Sequence, residues 1–379
     1  MTFIRLLIHK GGMMAPKTIF MTGFPGFIGR ALLETLLTKG RIKTAYLLVQ
    51  EKFKEQAVSQ ADSLIAVHPG ADLRIVTGDI TVPGLGLSDE IAKTAKAEVE
   101  TVYHLAALYD LAAPYDICHK INVQGTRNVL DFCHSLSSLD RLVYFSTFYV
   151  AGKRIGRIYE DDLIDKGFKN HYEATKFEAE GEVRKAMKTM PVVIIRPAIV
   201  VGDSRTGLTE KFDGPYFLLR FLLWMSSDDF PLKGMRMPSP YSGRGELNLV
   251  PIDYVAEATV ELAEIQESLG TTFQLCDPNP WTAREILEEA CRVYGLRPPL
   301  GYIPTPVTRT LFYSRKVREY FKIPQELIDY TSWRATCDDT NSRRILGKRG
   351  IIAPPIKTFF PAMLAFVRAN PDTPSSAKF

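Results

Sequence analysis

The feature that most constrains this fold is a regular alternation of short apolar runs with segments of helical periodicity. Runs of four to six apolar residues, without polar alternation, are typical of strands that are buried on both faces. Strands separated by helical segments build βαβ units and a parallel sheet. The sequence therefore predicts an α/β fold. The predicted strands are Thr18–Met21, Thr44–Val49, Leu73–Val76, Val102–Leu105, Leu142–Phe145 and Val192–Ile195.

A glycine-rich segment, TGFPGFIG, follows the first predicted strand and precedes the first helical segment. Gly23 permits a tight turn, Gly26 lets the backbone approach a pyrophosphate, and Gly29 allows close contact between helix and sheet. Unpaired N–H groups at the start of the helix attract phosphate. The segment therefore indicates a dinucleotide site in a Rossmann-type, doubly wound domain. Its predicted cofactor-binding residues are Thr22, Gly23, Phe24, Pro25, Gly26, Phe27, Ile28 and Gly29.

Residues near the second strand bear on which dinucleotide binds. An NAD site usually has an acidic residue at the end of that strand, where this chain has the neutral Gln50. Arg30, directly after the last glycine, is placed to reach a 2′-phosphate, with Lys52 or Lys54 as helpers. We therefore favour NADP(H), with NAD(H) as the alternative. The other interpretation of Arg30 is an exposed residue in the first turn of a helix.

Tyr172 and Lys176, in the segment YEATK, form a second constellation. Positions four apart lie on one face of a helix, and a nearby ammonium lowers the pKa of a tyrosine from its usual value near 10. Such a pair can donate a proton to a carbonyl oxygen as hydride arrives. Ser146 and Thr147 end a predicted strand at the sheet edge where ligands bind, and either hydroxyl is able to bond the substrate oxygen.

The alternation stops after Gly202, which suggests a second unit. We predict a dinucleotide-binding domain and a smaller, discontinuous C-terminal substrate-binding lobe. The domain comprises residues 18–202 plus 247–266, and the lobe comprises residues 203–246 plus 267–370. An N-terminal extension at residues 1–17 and a polar tail at residues 371–379 complete the prediction.

The motifs occur in the order of one enzyme family. TGFPGFIG, HLAA from His104, NVQGT with Asn122, FSTFYVAG, YEATK and RPAIVVG resemble the extended short-chain dehydrogenase/reductases over about residues 18–265. The resemblance implies that Thr147, Tyr172 and Lys176 are the catalytic triad and that Asn122 supports the active-site strand. Lys176 would also hold the nicotinamide ribose. Dimerisation through two helices that flank the active site is a further expectation from the family.

The resemblance also implies further contacts to the cofactor. Asp79 and Ile80 resemble the element beside the adenine, and Pro197 begins the segment beside the nicotinamide amide. The further cofactor-binding residues are Gln50, Asp79, Ile80, Leu105, Ala106, Ala107, Ser146, Pro197, Ala198 and Ile199.

Three features resemble the acyl-reducing branch of that family, which comprises fatty acyl-CoA reductases and thioester reductase domains. They are VPIDYVAEA at Val250–Ala258, the Ser146–Thr147 pair, and an apolar insert that includes Tyr216–Met225. The resemblance implies reduction of a hydrophobic carbonyl substrate, foremost a fatty acyl thioester or aldehyde, linked to CoA or to a carrier. The insert has three interpretations: core, the wall of an acyl channel, or contact with a membrane surface.

Other functions stay open at this point. A dehydrogenase of sterol-like or β-keto substrates uses the same triad, and so does a sugar-nucleotide epimerase, which the apolar insert disfavours. A non-catalytic NADP-binding scaffold is a third alternative, although the intact Tyr172–Lys176 pair argues against it. Trp333 and a group of arginines (Arg334, Arg343, Arg344 and Arg349) are either a contact for CoA or carrier phosphates or a solvated basic face.

Composition excludes several classes of protein. The net charge of +4, from 47 basic and 43 acidic residues, is far below that of nucleic-acid-binding proteins. Five scattered cysteines without a CxxC, and six histidines without metal-ligand spacing, indicate reduced thiols in a cytoplasmic protein and no metal. No run reaches the roughly 18 apolar residues of a membrane span.

Overall fold

The computed structural model describes residues 16–231, 234–236, 238–239, 243–312 and 328–374. Residues 1–15 of the predicted extension and residues 375–379 of the predicted tail lie outside the described residues. The division into domains stays a prediction.

Strands and helices alternate in the first half of the chain. All six predicted strands are present there, with bounds that differ by one or two residues. The elements are β1 (Lys17–Thr22), α1 (Phe27–Thr38), β2 (Ile42–Val49), α2 (Lys54–Val67), β3 (Asp72–Thr77), α3 (Asp89–Glu98), β4 (Thr101–His104), α4 (Tyr115–Cys118), α5 (Gly125–His134), β5 (Arg141–Phe145), β6 (Gly156–Ile158), α6 (His171–Ala186) and β7 (Val192–Pro197).

The second half contains shorter strands and most of the second lobe. Its elements are β8 (Ile199–Val201), α7 (Pro215–Ser226), β9 (Leu249–Pro251), α8 (Ile252–Glu264), β10 (Thr271–Leu275), α9 (Ala283–Tyr294), α10 (Thr305–Phe312), α11 (Ile328–Thr331), β11 (Ala335–Cys337), α12 (Thr340–Leu346) and α13 (Ile356–Ala369).

Seven strands form one parallel sheet in the order β3-β2-β1-β4-β5-β7-β10. The chain runs outward from β1 in one direction and then returns to continue from β4 in the other. This order confirms the predicted Rossmann-type, doubly wound parallel sheet. The last strand, β10, comes from the range 267–370 that the sequence analysis gives to the C-terminal lobe.

Helices cover both faces of the sheet, which explains why the strands are continuous apolar runs. Successive side chains of a strand point to opposite faces. In β1, Ile19 packs in a core with Leu32 of α1 and Val255 of α8. Its neighbour Phe20 packs on the other face with Phe132 of α5 and residues of α3 and α6. Both faces therefore favour apolar residues at most strand positions.

The edge strand β10 is joined to a two-stranded parallel ribbon of β6 and β11. The backbone N–H of Gln274 donates to the carboxylate of Glu160 over 2.9 Å. Its side-chain amide donates to the carbonyls of Ile158 and Asp338, each over 2.9 Å. The buried Gln274 thus fixes the ribbon to the sheet.

A separate apolar core holds the second lobe together. It packs Leu219 of α7 against Ile286 of α9 and Phe360 of α13. Tyr216 and Leu222 of the apolar insert are buried in it, so the insert contributes to the core. Among the described residues, no helix combines the length and the apolarity that crossing a bilayer requires.

Trp333 also belongs to this core. Its indole is 8% exposed, and its N–H donates to the carbonyl of Arg154 over 2.6 Å. The arginines grouped with it in the sequence analysis (Arg334, Arg343, Arg344 and Arg349) are exposed. The structure therefore places Trp333 in the core and these four arginines at the surface.

Candidate active site

A cavity of about 790 Å³ lies along the carboxyl edge of the sheet and extends into the second lobe. The sheet contributes the segments that follow β1, β2, β3, β4, β5 and β7. The second lobe contributes residues from the segment before α7, from α7 and from α9. This is the position at which ligands bind in open α/β sheets.

The glycine segment after β1 lines the cavity along its whole length, from Thr22 to Gly29. Gly23 has φ +93°, and a Cβ there would lie 2.8–2.9 Å from Leu105 and Ala106. A Cβ on Gly26 or Gly29 would lie 2.8 or 2.6 Å from the Gly23 carbonyl oxygen. The second and third glycines are therefore required by the closure of the loop itself, a reason that the sequence analysis did not give.

Helix α1 begins directly after Gly26 without a side-chain cap. The N–H groups of its first turn thus have no acceptor from a capping side chain, and they lie at the glycine wall of the cavity. A glycine-rich cradle with N–H donors that no side chain caps suits a pyrophosphate. The residues present therefore fit a dinucleotide.

The end of β2 also lines the cavity. The amide of Gln50 donates to the carboxylate of Asp79 over 2.8 Å, and the N–H of Thr81 donates to the same carboxylate over 2.8 Å. Burial alone would raise the pKa of Asp79, but these hydrogen bonds outweigh it and lower the pKa. Lys52 and Gln56 line the cavity beside them.

Arg30 does not line the cavity. Its guanidinium lies 3.5 Å from the carboxylate of Glu210, a cavity residue from the second lobe. Lys54 is also off the wall, 3.5 Å from Glu51. Of the three basic residues that the sequence analysis considers for a 2′-phosphate, only Lys52 lines the cavity.

Thr147 and Tyr172 both lie in the cavity wall, and the Thr147 hydroxyl accepts from the N–H of Tyr149 over 3.3 Å. The ring of Tyr109 packs edge-on against Tyr172, with 5.1 Å between ring centroids. Burial raises the pKa of Tyr172, with a smaller contribution from Tyr109. The ammonium of Lys176 was expected to lower this pKa. The direction is opposite because loss of solvent, Tyr109 and Glu173 all raise the pKa of Tyr172, and the interaction with Thr147 that lowers it is outweighed.

Lys176 lies behind the wall rather than in it. Its ammonium donates to the carbonyl of Phe145 over 2.7 Å and to the hydroxyl of Tyr144 over 3.1 Å. Burial lowers the pKa of Lys176 to about 7, against the opposing charge of Glu180. The structure thus brings Lys176 to the end of β5, but not into contact with the phenol.

Asn122 and Ser146 are also buried away from the cavity wall. Asn122 lies in a short π-helix, His119–Gln124. Its side-chain amide accepts from the N–H of Leu108 over 2.8 Å and donates to the hydroxyl of Thr175 over 3.0 Å. Ser146 donates to the carboxylate of Glu180 over 2.6 Å. Of the two hydroxyls at the end of β5, Thr147 is therefore the one in the wall.

Most of the predicted cofactor residues line the cavity together. These are Thr22, Gly23, Phe24, Pro25, Gly26, Phe27, Ile28, Gly29, Gln50, Asp79, Ile80, Leu105, Ala106, Ala107, Pro197, Ala198 and Ile199. Arg30, Ser146 and Lys176 do not.

Sequence reasoning missed several residues of this site. Tyr109, Tyr149 and Tyr330 line the cavity around Tyr172, and Tyr330 comes from the second lobe, beyond any recognised motif. The hydroxyl of Tyr330 donates to the buried carboxylate of Glu173 over 2.7 Å. No local pattern signals this contact, because its partners are 157 residues apart.

His104 lies between two threonine hydroxyls near this site, which its sequence context did not indicate. Its Nδ1 lies 2.7 Å from the hydroxyl of Thr22, and its Nε2 lies 3.1 Å from the hydroxyl of Thr126. The Thr126 hydroxyl donates to the carbonyl of Asn122, so it accepts from Nε2–H and the ring is neutral. Burial lowers the pKa of His104 to about 3, with a smaller contribution from Lys176.

A family model of NAD-binding proteins, described as male sterility protein, matches residues 21–259. The chain belongs to this family. Its members are extended short-chain dehydrogenase/reductases, which confirms the resemblance found in the motifs.

Relatives of this family member include a fatty acyl-CoA reductase and a nonribosomal peptide synthetase. It is 28% identical to the Drosophila melanogaster "Fatty acyl-CoA reductase wat", over 53% of this chain and 46% of that protein. It is 30% identical to the "Non-canonical nonribosomal peptide synthetase cpsA" of Aspergillus campestris, over 68% of this chain and 25% of that protein. The chain thus spans less than half the length of these two relatives.

A solved structure agrees over nearly the whole chain. The terminal R domain of the myxalamid PKS-NRPS biosynthetic pathway is 26% identical, with a TM-score of 0.78, and covers 96% of this chain and 94% of its own. A UDP-glucuronic acid 4-epimerase from Bacillus cereus, 18% identical with a TM-score of 0.64, covers 95% of this chain and 99% of its own and shares the fold. The family member therefore belongs to the fatty acyl-CoA reductase-like and thioester reductase-like branch.

Proposed function

We propose that the protein is an NADP(H)-dependent reductase of a hydrophobic acyl thioester or of the matching aldehyde. The observation that carries this proposal is one cavity with two unlike linings. The glycine segment contributes one lining, apolar side chains of the second lobe (Leu218, Ala283 and Ile286) contribute the other, and Thr147 and Tyr172 lie in the wall of the same cavity. The second lobe is accordingly proposed as the substrate-binding lobe.

The hydroxyls of Thr147 and Tyr172 act on the substrate oxygen. Because the pKa of Tyr172 is raised, its phenol keeps its proton at neutral pH and donates a hydrogen bond. Thr147 donates a second one. Bound NADPH supplies the hydride for the acyl carbon. As negative charge develops on the oxygen, both donors stabilise it, and Tyr172 is placed to protonate it. With a thioester, the carbon–sulfur bond then breaks, the thiol leaves with a proton, and the aldehyde remains.

Lys176 and Asn122 support these two hydroxyls. Lys176 holds the Phe145 carbonyl at the end of β5, two residues before Thr147. Asn122 connects the segment after β4 to α6 through Thr175. We propose both as residues that fix the site, with Lys176 also placed to meet the nicotinamide ribose.

The preference for NADP(H) rests on charge at the end of β2. Lys52 lines the cavity there, and Asp79, the acidic residue nearby, already accepts from Gln50 and Thr81. A 2′-phosphate adds negative charge, which Lys52 favours. Arg30 would have to leave Glu210 to contribute.

The first test follows NADPH oxidation with long-chain acyl-CoA and, separately, with the matching fatty aldehyde. Turnover of acyl-CoA is the expected result. Turnover of the aldehyde alone would limit the activity to carbonyl reduction, and binding of NADPH without turnover of either would contradict the proposal. NADH in parallel, and Lys52→Ala with Lys54→Ala as its control, test the cofactor preference.

A further inference from the structure

Glu180 lies one helical turn after Lys176 and two turns after Tyr172 on α6, and its side chain is fully buried. Its carboxylate accepts from the guanidinium of Arg196 over 2.6 and 2.9 Å and from the hydroxyl of Ser146 over 2.6 Å. We call Glu180, Arg196 and Ser146 the Glu180 cluster. It joins α6, the end of β5 and the end of β7.

Two partners of Glu180, Ser146 and Arg196, are chain neighbours of residues in the cavity wall. Ser146 precedes Thr147, and Arg196 precedes Pro197. Glu180 itself belongs to the helix that carries Tyr172. The three elements that surround the reacting oxygen in the proposed function thus meet at one carboxylate.

The cluster is built for fixed geometry. Arg196 is 0% exposed and makes two parallel bonds to Glu180, which define direction as well as distance. Its remaining donors bond the carbonyls of Glu160 and Asp162 over 3.2 and 2.7 Å. Arg184 adds a bond to Glu180 over 2.8 Å. Little freedom is left for β5 or β7 to shift against α6.

We propose that Glu180 is a positioning residue, which through Ser146 and Arg196 sets Thr147 and Tyr172 at the separation that catalysis needs. The assignment rests on the proposed function. It concerns residues that do not contact the cavity and that the catalytic triad does not include.

Removing Glu180 alone would leave Arg196 buried and unpaired, which is strongly destabilising. The main variant is therefore Glu180→Leu combined with Arg196→Met, which removes both charges and keeps apolar volume. Ser146→Ala removes the hydrogen bond from Ser146 to Glu180 and leaves the ion pair between Arg196 and Glu180. Glu182→Gln is the matched control, since Glu182 is a carboxylate on the same helix paired at the surface with Arg127 and Lys185, over 3.0 and 3.1 Å.

We expect the variants of the Glu180 cluster to lower kcat while leaving NADPH binding nearly unchanged. Misplacement by about 1 Å costs up to about 100-fold in rate. The double variant should lose about 10- to 100-fold in kcat and Ser146→Ala about 3- to 10-fold, while the Kd for NADPH changes less than about 3-fold. Glu182→Gln should match the wild type. A folded double variant with wild-type kcat would overturn the proposal, and so would parallel losses in kcat and NADPH binding.

A second readout does not depend on the substrate. Amide hydrogen exchange at residues 146–149 and 172–176 should speed up in the double variant and in Ser146→Ala, but not in Glu182→Gln. If the wild type turns over neither acyl-CoA nor aldehyde, the proposed function fails while exchange still tests the cluster. Unchanged exchange at both segments would contradict the positioning role.

Discussion

At the scale of single residues, burial decides the chemistry of this site. Lys176 and His104 are buried and Tyr172 is half-buried, and the pKa of each group is shifted in the direction that favours its neutral form. The sequence correctly brought Thr147 and Tyr172 to one place. It did not predict the direction of the Tyr172 shift, because solvent exclusion depends on residues such as Tyr109 and Tyr330 that no motif contains.

Replacing Tyr172 by Phe tests the proton donor. The variant keeps the ring that packs against Tyr109 and loses only the hydroxyl. We expect kcat to fall about 100-fold or more, the usual contribution of a positioned acid, with NADPH binding unchanged. Steady-state kinetics and fluorescence titration of NADPH measure both. Tyr115→Phe, which loses an exposed hydroxyl bonded to Glu178, is the control. Wild-type turnover in the Tyr172 variant would show that Tyr172 is not the proton donor.

His104 predicts how stability depends on pH. Its pKa is lowered to about 3 in the folded state against 6.5 in a free side chain. Between pH 6.5 and 3 the unfolded chain therefore binds more protons, so the free energy of unfolding falls as the pH falls through this window. Urea unfolding of the wild type and of His104→Gln at several pH values measures it. The wild type should lose stability more steeply below pH 6.5, and equal slopes would contradict the assignment.

At the scale of elements, the sequence predicted most of what local patterns encode. The strands β1 to β5 and β7 have the bounds that apolar runs suggest, because a strand buried on both faces has little choice of residue. The contribution of β10 to the sheet, the contact of Tyr330 with Glu173 and the pairing of Arg30 with Glu210 were not predicted. Each joins segments far apart in the chain, and a local pattern carries no information about its distant partner.

The glycine segment allows a prediction at this scale. A Cβ on Gly29 would lie 2.6 Å from the Gly23 carbonyl oxygen, and a backbone atom cannot move aside cheaply. We expect Gly29→Ala to weaken NADPH binding at least about 10-fold and to destabilise the protein by about 1–3 kcal/mol. Gly181→Ala is the control, since that glycine lies within α6 and a Cβ there meets nothing within 4 Å.

The measurements are NADPH titration and chemical unfolding. Gly181→Ala should leave NADPH binding unchanged and stabilise the protein by about 0.5–1 kcal/mol, the helical preference of alanine over glycine. Normal binding by Gly29→Ala would show that the loop tolerates a side chain and would refute the steric argument.

At the scale of the whole molecule, the cavity belongs to both parts of the fold. The segments that follow the sheet strands line it together with residues of α7 and α9. Tyr330 connects them, because its ring lines the cavity and its hydroxyl bonds Glu173, the residue next to Tyr172. The second lobe is thereby tied to the helix that carries the proposed acid.

Tyr330→Phe tests this connection. The variant removes a buried hydrogen bond to a carboxylate, so we expect a loss of about 1.5–3 kcal/mol in the free energy of unfolding. We also expect a lower kcat for acyl-CoA. Tyr302→Phe is the matched control, since the Tyr302 hydroxyl bonds the half-exposed Glu288 over 3.0 Å in the same lobe and should contribute about 0.5 kcal/mol or less. Equal losses in both variants would contradict a special role for Tyr330.

The attachment of β10 to the β6–β11 ribbon bears on whether the sheet edges of two molecules are able to pair. A strand at the margin of a sheet offers unpaired backbone groups to a strand of another chain, which is a common start of aggregation. Here the N–H of Gln274 is already bonded to Glu160, and its side chain lies against Ile158 and Asp338. The molecule thus covers this margin with its own chain. Loss of the ribbon would expose a template for intermolecular β-pairing before the sheet itself unfolds.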